Sequence, residues 1–498
     1  MVDFVSEVLA LLAYLFVFVI GLGVFALLVL YIVDVTQTEH AIRRNYPVIG
    51  RFRYVFEDIG EFFRQYFFAM DREEMPFNRA ERSWAYRAAK GIDNTVAFGS
   101  THDLKRAGTV VFVNTPWPTL DQDAVSTAPV TIGPDCKTTY TTDRVFHISA
   151  MSFGAISKPA VLALSRGAKM AGCWLNTGEG GLSDYHLEGG ADIVFQIGTA
   201  KYGVRTPDGQ LDLERLRAVA AHEQVRMFEL KLSQGAKPGK GGILPGAKVT
   251  EEIAAIRGIP AGEDSISPNR HPDIGSAAEL LDMIARVREA TGKPVGFKAV
   301  MGGFGWLEDV LWEARSRGTE YTPDFITVDS GDGGTGAAPM TLMDSVGLPV
   351  HESLPLVVDA LYKTGLRDRV RVIASGKLIN PEGVAWALCA GADFVVSARG
   401  FMFSLGCIQA MKCNLNTCPT GITTHDKHLQ RGLDPANKAN RVMHYQQNME
   451  KEVGVIAHSC GVREPRQLRR NHCRIVLPDG RTRPLDEIFP YREVPPAA

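Results

Sequence analysis

Cys407, Cys413 and Cys418 stand in the run Cys-Ile-Gln-Ala-Met-Lys-Cys-Asn-Leu-Asn-Thr-Cys-Pro, a C-x5-C-x4-C spacing closed by Pro419. Thiolates are soft ligands that suit zinc or iron–sulfur clusters, and short uneven spacing ending in Cys-Pro is a habit of ferredoxin-type clusters. Zinc usually takes paired C-x2-4-C knuckles and a fourth ligand, and neither stands nearby. Ordinary buried thiols are the remaining reading.

Other reactive groups lie in glycine-rich turns. Glu179 sits in Asn176-Thr-Gly-Glu-Gly-Gly181, and Lys237 in Gln234-Gly-Ala-Lys-Pro-Gly239. There a carboxylate and an ammonium could converge over a substrate, one moving protons and one holding an acid; solvated loop charges are the plainer alternative. Lys231, in Glu-Leu-Lys-Leu, and Lys298, in Gly-Phe-Lys-Ala-Val, are charges inside apolar runs. An inward lysine is costly unless it meets an anion or an electron-rich group. The electron-rich edge of a reduced flavin would serve, and so would a neighbouring carboxylate. Asp332-Gly333-Gly334-Thr335-Gly336, Ala374-Ser375-Gly376-Lys377 and Ser397-Ala398-Arg399-Gly400 permit close backbone approach, donate N–H groups and add the Arg399 charge, a pattern that suits a phosphorylated cofactor.

Short apolar runs alternating with helical patterns must position these groups. The spacing predicts strands at Val145–Met151, Trp174–Thr177, Ile193–Ile197, Met227–Leu232, Val295–Val300, Phe325–Asp329, Val370–Ala374 and Phe394–Ala398. Eight β-then-α units point to an α/β chain folded as a closed (β/α)8 TIM barrel, which carries its chemistry at the carboxyl ends of its strands. An open doubly wound sheet would want a Gly-x-Gly-x-x-Gly turn after the first strand, and none is there. The long, glycine-led connection between the fourth and fifth strands reads as an active-site loop.

The amino end differs. From Val8 to Val33 the chain is uncharged and almost wholly apolar, with Asp3 and Glu7 before it and Arg43, Arg44, Arg51 and Arg53 after it. Length predicts a single transmembrane helix, and the arginines place the bulk of the chain in the cytoplasm at the cell membrane. A cleavable signal would show a positive start, a shorter apolar core and a small-residue cleavage site. The expected divisions are a transmembrane anchor at 1–40, a helical juxtamembrane segment at 41–110, the barrel with its cysteine loop at 111–422, and a carboxyl-terminal extension at 423–498. Lys plus Arg (54) nearly equals Asp plus Glu (56), which gives no footprint for nucleic acid. Eight cysteines, three of them clustered, do not resemble a disulfide framework and suit a reducing compartment.

From Ser149-Ala-Met-Ser-Phe-Gly-Ala-Ile-Ser157 to Cys418-Pro-Thr-Gly421, the chain resembles the FMN-binding synthase domain of glutamate synthase, and more narrowly its stand-alone, membrane-anchored members. The resemblance implies FMN in the barrel beside a [3Fe–4S] cluster held by Cys407, Cys413 and Cys418. It implies that Glu179 and Lys237 are catalytic, and that Lys237 and Arg257 bind the substrate. Met151, Ser152, Asn176, Lys231, Lys298, Gly333, Gly334, Gly376, Arg399 and Gly400 are then expected around the cofactor. The implied activity passes electrons between cluster, FMN and the imine made from 2-oxoglutarate and ammonia, yielding glutamate or a related amino acid. The implied partners are a small 2-oxo acid or amino acid and an electron donor or acceptor, whether ferredoxin-like, a reductase subunit or quinone-linked. A membrane-tethered amino acid dehydrogenase feeding a membrane carrier is the alternative. Two departures stand out: this chain begins Met-Val-Asp where the larger enzyme has a cysteine-led glutaminase domain, and Ile243 replaces a glutamine that helps hold the 2-oxo acid.

Overall fold

The computed structural model describes residues 2–491. The chain divides into two compact units, the first ending at Ala80 and the second beginning at Glu81. The first opens with one helix, Val2–Thr36. Its stretch Asp3–Thr36, which contains an 18-residue window of mean hydropathy 3.0, is long and apolar enough to cross a membrane, and that window is unburied in the structure. Asp34 near its end pairs with Arg51 at 2.8 Å and accepts from the Val48 N–H at 2.9 Å. Those bonds fold the chain back into the helices Ala41–Asn45 and Gly50–Phe63. Phe62, Phe63, Tyr66 and Phe67 pack on one another while staying exposed.

The second unit is built on eight parallel strands: Phe146–Ile148, Leu175–Asn176, Ile193–Ile197, Val225–Lys231, Val295–Val300, Phe325–Asp329, Arg371–Ser375 and Phe394–Ser397. The eighth pairs with the first, Val396 opposite His147, and closes the barrel. All eight expected strands are present, and the first two are shorter than their apolar runs because the chain leaves the ladder early to form rim loops. Burial on both faces explains why the strands read as continuous apolar runs. The helices between them carry their own stops and starts: Ser157 caps Lys158–Ala171, Ser276 caps Ala277–Thr291, and both helices end on a left-handed glycine.

A hairpin, Val130–Ile132 with Tyr140–Thr142, packs against the amino-terminal ends of the strands. Its Ile132 and Tyr140 join Trp174, Met227, Phe325 and Phe394 in one buried cluster. That end of the barrel is filled, so the opposite rim is where a ligand can enter.

Past Ala89 the juxtamembrane region has no regular element until Val110, and Glu81–Ala89 belongs with the barrel unit. There Tyr86 donates to the Cys407 carbonyl at 2.5 Å. Residues after 422 are part of the barrel unit as well. The helix Pro435–Ser459 lies along Lys158–Ala171 in the place of the eighth barrel helix. Its Glu450 accepts from the N–H groups of Val145 (2.8 Å) and Phe146 (3.3 Å) at the start of the first strand. Farther on, Cys473–Val476 pairs with Val110–Phe112 and Thr482–Pro484. The tail arginine Arg470 is buried against Asp359 at 2.6 Å.

Candidate active site

A cavity opens at the carboxyl ends of the strands. Glu179, Lys231, Lys237, Arg257, Lys298, Arg399 and Cys413 all line it, with Met151, Ser152, Ile243, Gly334 and Gly376. The other expected residues stand just outside. Asn176 lies below the cavity, Gly333 packs on Gly235, and Gly400 gives room to the Tyr445 hydroxyl. Cys407 and Cys418 flank Cys413 in the same loop but do not line the cavity.

Lys231 and Lys298 are register neighbours on adjacent strands, so two ammonium groups face one rim side by side. Each has its own carboxylate: Lys231 meets Glu179 at 3.0 Å, and Lys298 meets Asp329 at 3.0 Å. The carboxylate reading of these lysines therefore holds, and both still face the cavity. Burial works against the Lys298 charge, but Asp329 and Glu229 outweigh it and hold the group above its ordinary value.

Glu179 is boxed in. A Cβ on Gly198 would lie 2.6 Å from its Cβ, and one on Gly242 only 2.1 Å from its Oε1. Burial opposes its ionisation, yet Lys231 and Lys237 prevail and keep the carboxyl below its usual range. Lys237 has no ion pair among the described residues. Burial first, and the Lys231 charge second, push its ammonium down to about 8. Arg257 donates to Ser265 Oγ at 3.1 Å and to the Phe153 carbonyl at 3.4 Å, with its guanidinium 5.1 Å from the Tyr202 ring centre. Its buried Nε has no partner. The cavity lining thus holds two enclosed carboxylates, Glu179 and Asp329, each paired with a lysine, whereas Lys237 and Arg257 make no ion pair among the described residues.

Glycines let the rim loops pack closely on one another. Gly376, at φ +118°, leaves only 2.2 Å between a would-be Cβ and Ser330 Cβ, and a Cβ on Gly178 would meet the Ser152 nitrogen at 2.6 Å. With Gly334 and the serines Ser149, Ser375 and Ser397 they form a donor-rich cradle. This suits a flat, phosphorylated ligand. Arg399 joins the cradle to the cysteine loop: its Nη1 stands 3.7 Å from Cys413 Sγ, and its Nη2 donates to the Thr335 carbonyl. Burial, helped by Cys413 and Cys418, raises the Cys407 thiol. Cys418 is the reverse: burial raises it, but hydrogen bonds from Thr420 and Thr423 bring it below its ordinary value. Among the described residues no trio of His, Cys, Asp or Glu is gathered as around an ion. Cys407 lies within electrostatic reach of Cys413, Cys418 and Arg399, and Lys248 within reach of Cys413 and Cys418.

Residues 105–463 match the conserved region in glutamate synthase. The chain belongs to that family. It is 39% identical to the glutamate synthase large subunit-like protein YerD of Bacillus subtilis, over 92% of this chain and 94% of that protein. It is 35% identical to the archaeal-type glutamate synthase [NADPH] of Thermotoga maritima over 65% of this chain and 60% of that protein, so it spans well under two thirds of that relative. A mandelate oxidase mutant with a monooxide FMN adduct is similar in structure, with a TM-score of 0.46 at 14% identity over 79% of this chain and 99% of that one.

Two features of this glutamate synthase family member escape a reading of its residues in sequence. Below the cavity, Glu229 is buried and accepts from Asn176 (2.9 Å), Gln196 (2.6 Å) and Thr327 (2.6 Å). The signal was present: Glu229 and Lys231 are two apart on one strand, so both face inward. Lys248 is the second, buried beneath the cysteine loop, with burial pushing its ammonium down to about 8.

Proposed function

We propose that the cavity holds FMN and that Cys407, Cys413 and Cys418 hold a [3Fe–4S] cluster, in a membrane-anchored oxidoreductase of the glutamate synthase type. It acts at the carbon–nitrogen bond of an amino acid, or of the imine formed from a 2-oxo acid and ammonia. When bound, FMN supplies hydride chemistry and the cluster supplies single electrons. The observation that carries this reading is that Glu179, Lys237, Arg257, Arg399 and Cys413 line one cavity.

Lys237 and Arg257 bind the substrate carboxylate, and Lys231 holds Glu179 in place at 3.0 Å. Glu179, kept ionised, takes the proton from the substrate nitrogen in amine oxidation and returns it in imine reduction. Ile243 offers an apolar contact where the related enzymes have a glutamine that helps hold the 2-oxo acid, which favours acids unlike 2-oxoglutarate. Lys298 and Arg399, with the glycine turns at Gly334 and Gly376, hold the cofactor.

The test is purified protein, reconstituted with iron anaerobically, mixed in stopped flow with a panel of amino and 2-oxo acids. The expected result is flavin absorbance that bleaches or returns with at least one of them. Protein with neither a flavin band nor iron refutes the proposal. The helix Asp3–Thr36 favours a second reading, in which the electrons go to a membrane carrier. Removing residues 1–40 then abolishes electron exchange with membranes, and unchanged exchange rules that reading out.

A further inference from the structure

Lys248 is 2% exposed, and its ammonium donates to two carbonyls, Ala155 at 2.8 Å and Cys413 at 3.3 Å. Among the described residues no carboxylate pairs with it. A buried charge without a counter-charge is costly, and two carbonyl dipoles do not neutralise it. An anion belongs nearby, and the groups able to supply one are the sulfurs of the cysteine loop.

The contacts also join three loops. Ala155 follows the first strand and Cys413 follows the eighth, whereas Lys248 lies in the excursion between the fourth and fifth. One residue earlier, the Ala247 carbonyl accepts from Asn416 Nδ2 at 3.4 Å. Asn416 is itself fixed, since Thr424 donates to its carbonyl at 2.5 Å and the His425 N–H to its Oδ1 at 2.8 Å. Lys248 closes the turn Gly246–Lys248, just before the helix Glu251–Arg257, which Thr250 caps. The excursion that carries Lys237 and Arg257 is thereby fastened to the cysteine loop at two points.

We infer that Lys248 is the positioning residue that fastens the substrate-side excursion to the cysteine loop, and that its ammonium is the counter-cation of the anionic cluster held there. The inference rests on the iron–sulfur reading proposed above. A fixed positive charge favours the cluster's reduced form, which carries one more electron, so its loss lowers the reduction potential.

The experiment uses the full-length holoprotein, wild type, Lys248→Met and Lys248→Arg, in dithionite titrations with mediators. The cluster is followed by electron paramagnetic resonance, and flavin and iron are measured on the same samples. At the wild-type midpoint the reduced-to-oxidised ratio should fall about tenfold in Lys248→Met, which is about 59 mV for a one-electron couple, and stay near wild type in Lys248→Arg. Loss of iron from Lys248→Met alone, with flavin retained, also supports the role. Equal potentials and equal iron in wild type and Lys248→Met overturn the inference while leaving the iron–sulfur reading intact. Wild-type protein that takes up no iron overturns both.

Discussion

Gly242→Ala separates the placing of Glu179 from the stability of the fold. The added methyl would start 2.1 Å from Glu179 Oε1 and 2.7 Å from its Cδ, whereas ordinary contact begins near 3.4 Å. The carboxylate must therefore move by more than about 1 Å, and Gly198 already crowds it from another side. That displacement breaks the 3.0 Å bond to Lys231. The clashing atoms are the free end of a flexible side chain, so the cost to folding should stay within about 1–3 kcal/mol. A shift of this size at a reacting group costs about a hundredfold in rate. The matched control is Gly302→Ala, where a Cβ meets nothing within 4 Å. Stopped-flow flavin reduction by the best substrate in the panel should slow about a hundredfold in Gly242→Ala and hardly at all in Gly302→Ala, with flavin content equal in both. Equal rates in the two variants would refute the placement of Glu179 at the reacting atoms.

Three further outcomes follow from the charges described. Asp329→Ala strands the Lys298 ammonium and should cost about 3–5 kcal/mol in denaturant melts, most of it recovered when Lys298→Met is added. Lys237 must be protonated to hold an acid, so kcat/KM should fall as pH rises through about 8; Lys237→Met should lose that limb, and an unchanged profile would remove Lys237 from substrate binding. His186 and His271 are buried, and burial pushes both from 6.5 down to about 4. The unfolded chain then binds more protons than the folded one between these values, so stability rises with pH across that window and is lost as pH falls through it. Tm should be lower at pH 5 than at pH 7, and replacing both with glutamine should flatten the difference.

The barrel was legible because its strands are buried on both faces, which turns them into unbroken apolar runs such as Ile193–Ile197. The reactive groups were legible where a charge interrupts such a run or a glycine turn, as at Lys298 and Glu179. Their pairing was not. Asp329 reads as an ordinary strand end until the fold sets it 3.0 Å from Lys298. The network around Glu229 draws Asn176, Gln196 and Thr327 from three other strands, so the spacing that turns Glu229 inward says nothing of its partners. Residues after 422 read as an appendage because eight strands were already complete. The loop of cysteines separates the last strand from the helix that belongs to it.

That helix has a consequence for how the protein is made. The backbone donor of Val145 finds its acceptor, Glu450, 305 residues farther along the chain. While the polypeptide is emerging from the ribosome, these N–H groups at the opening stave of the barrel stay on water until residue 450 has been added. Seating the first strand thus rests on a contact of very long sequence separation, the kind of closure that slows folding.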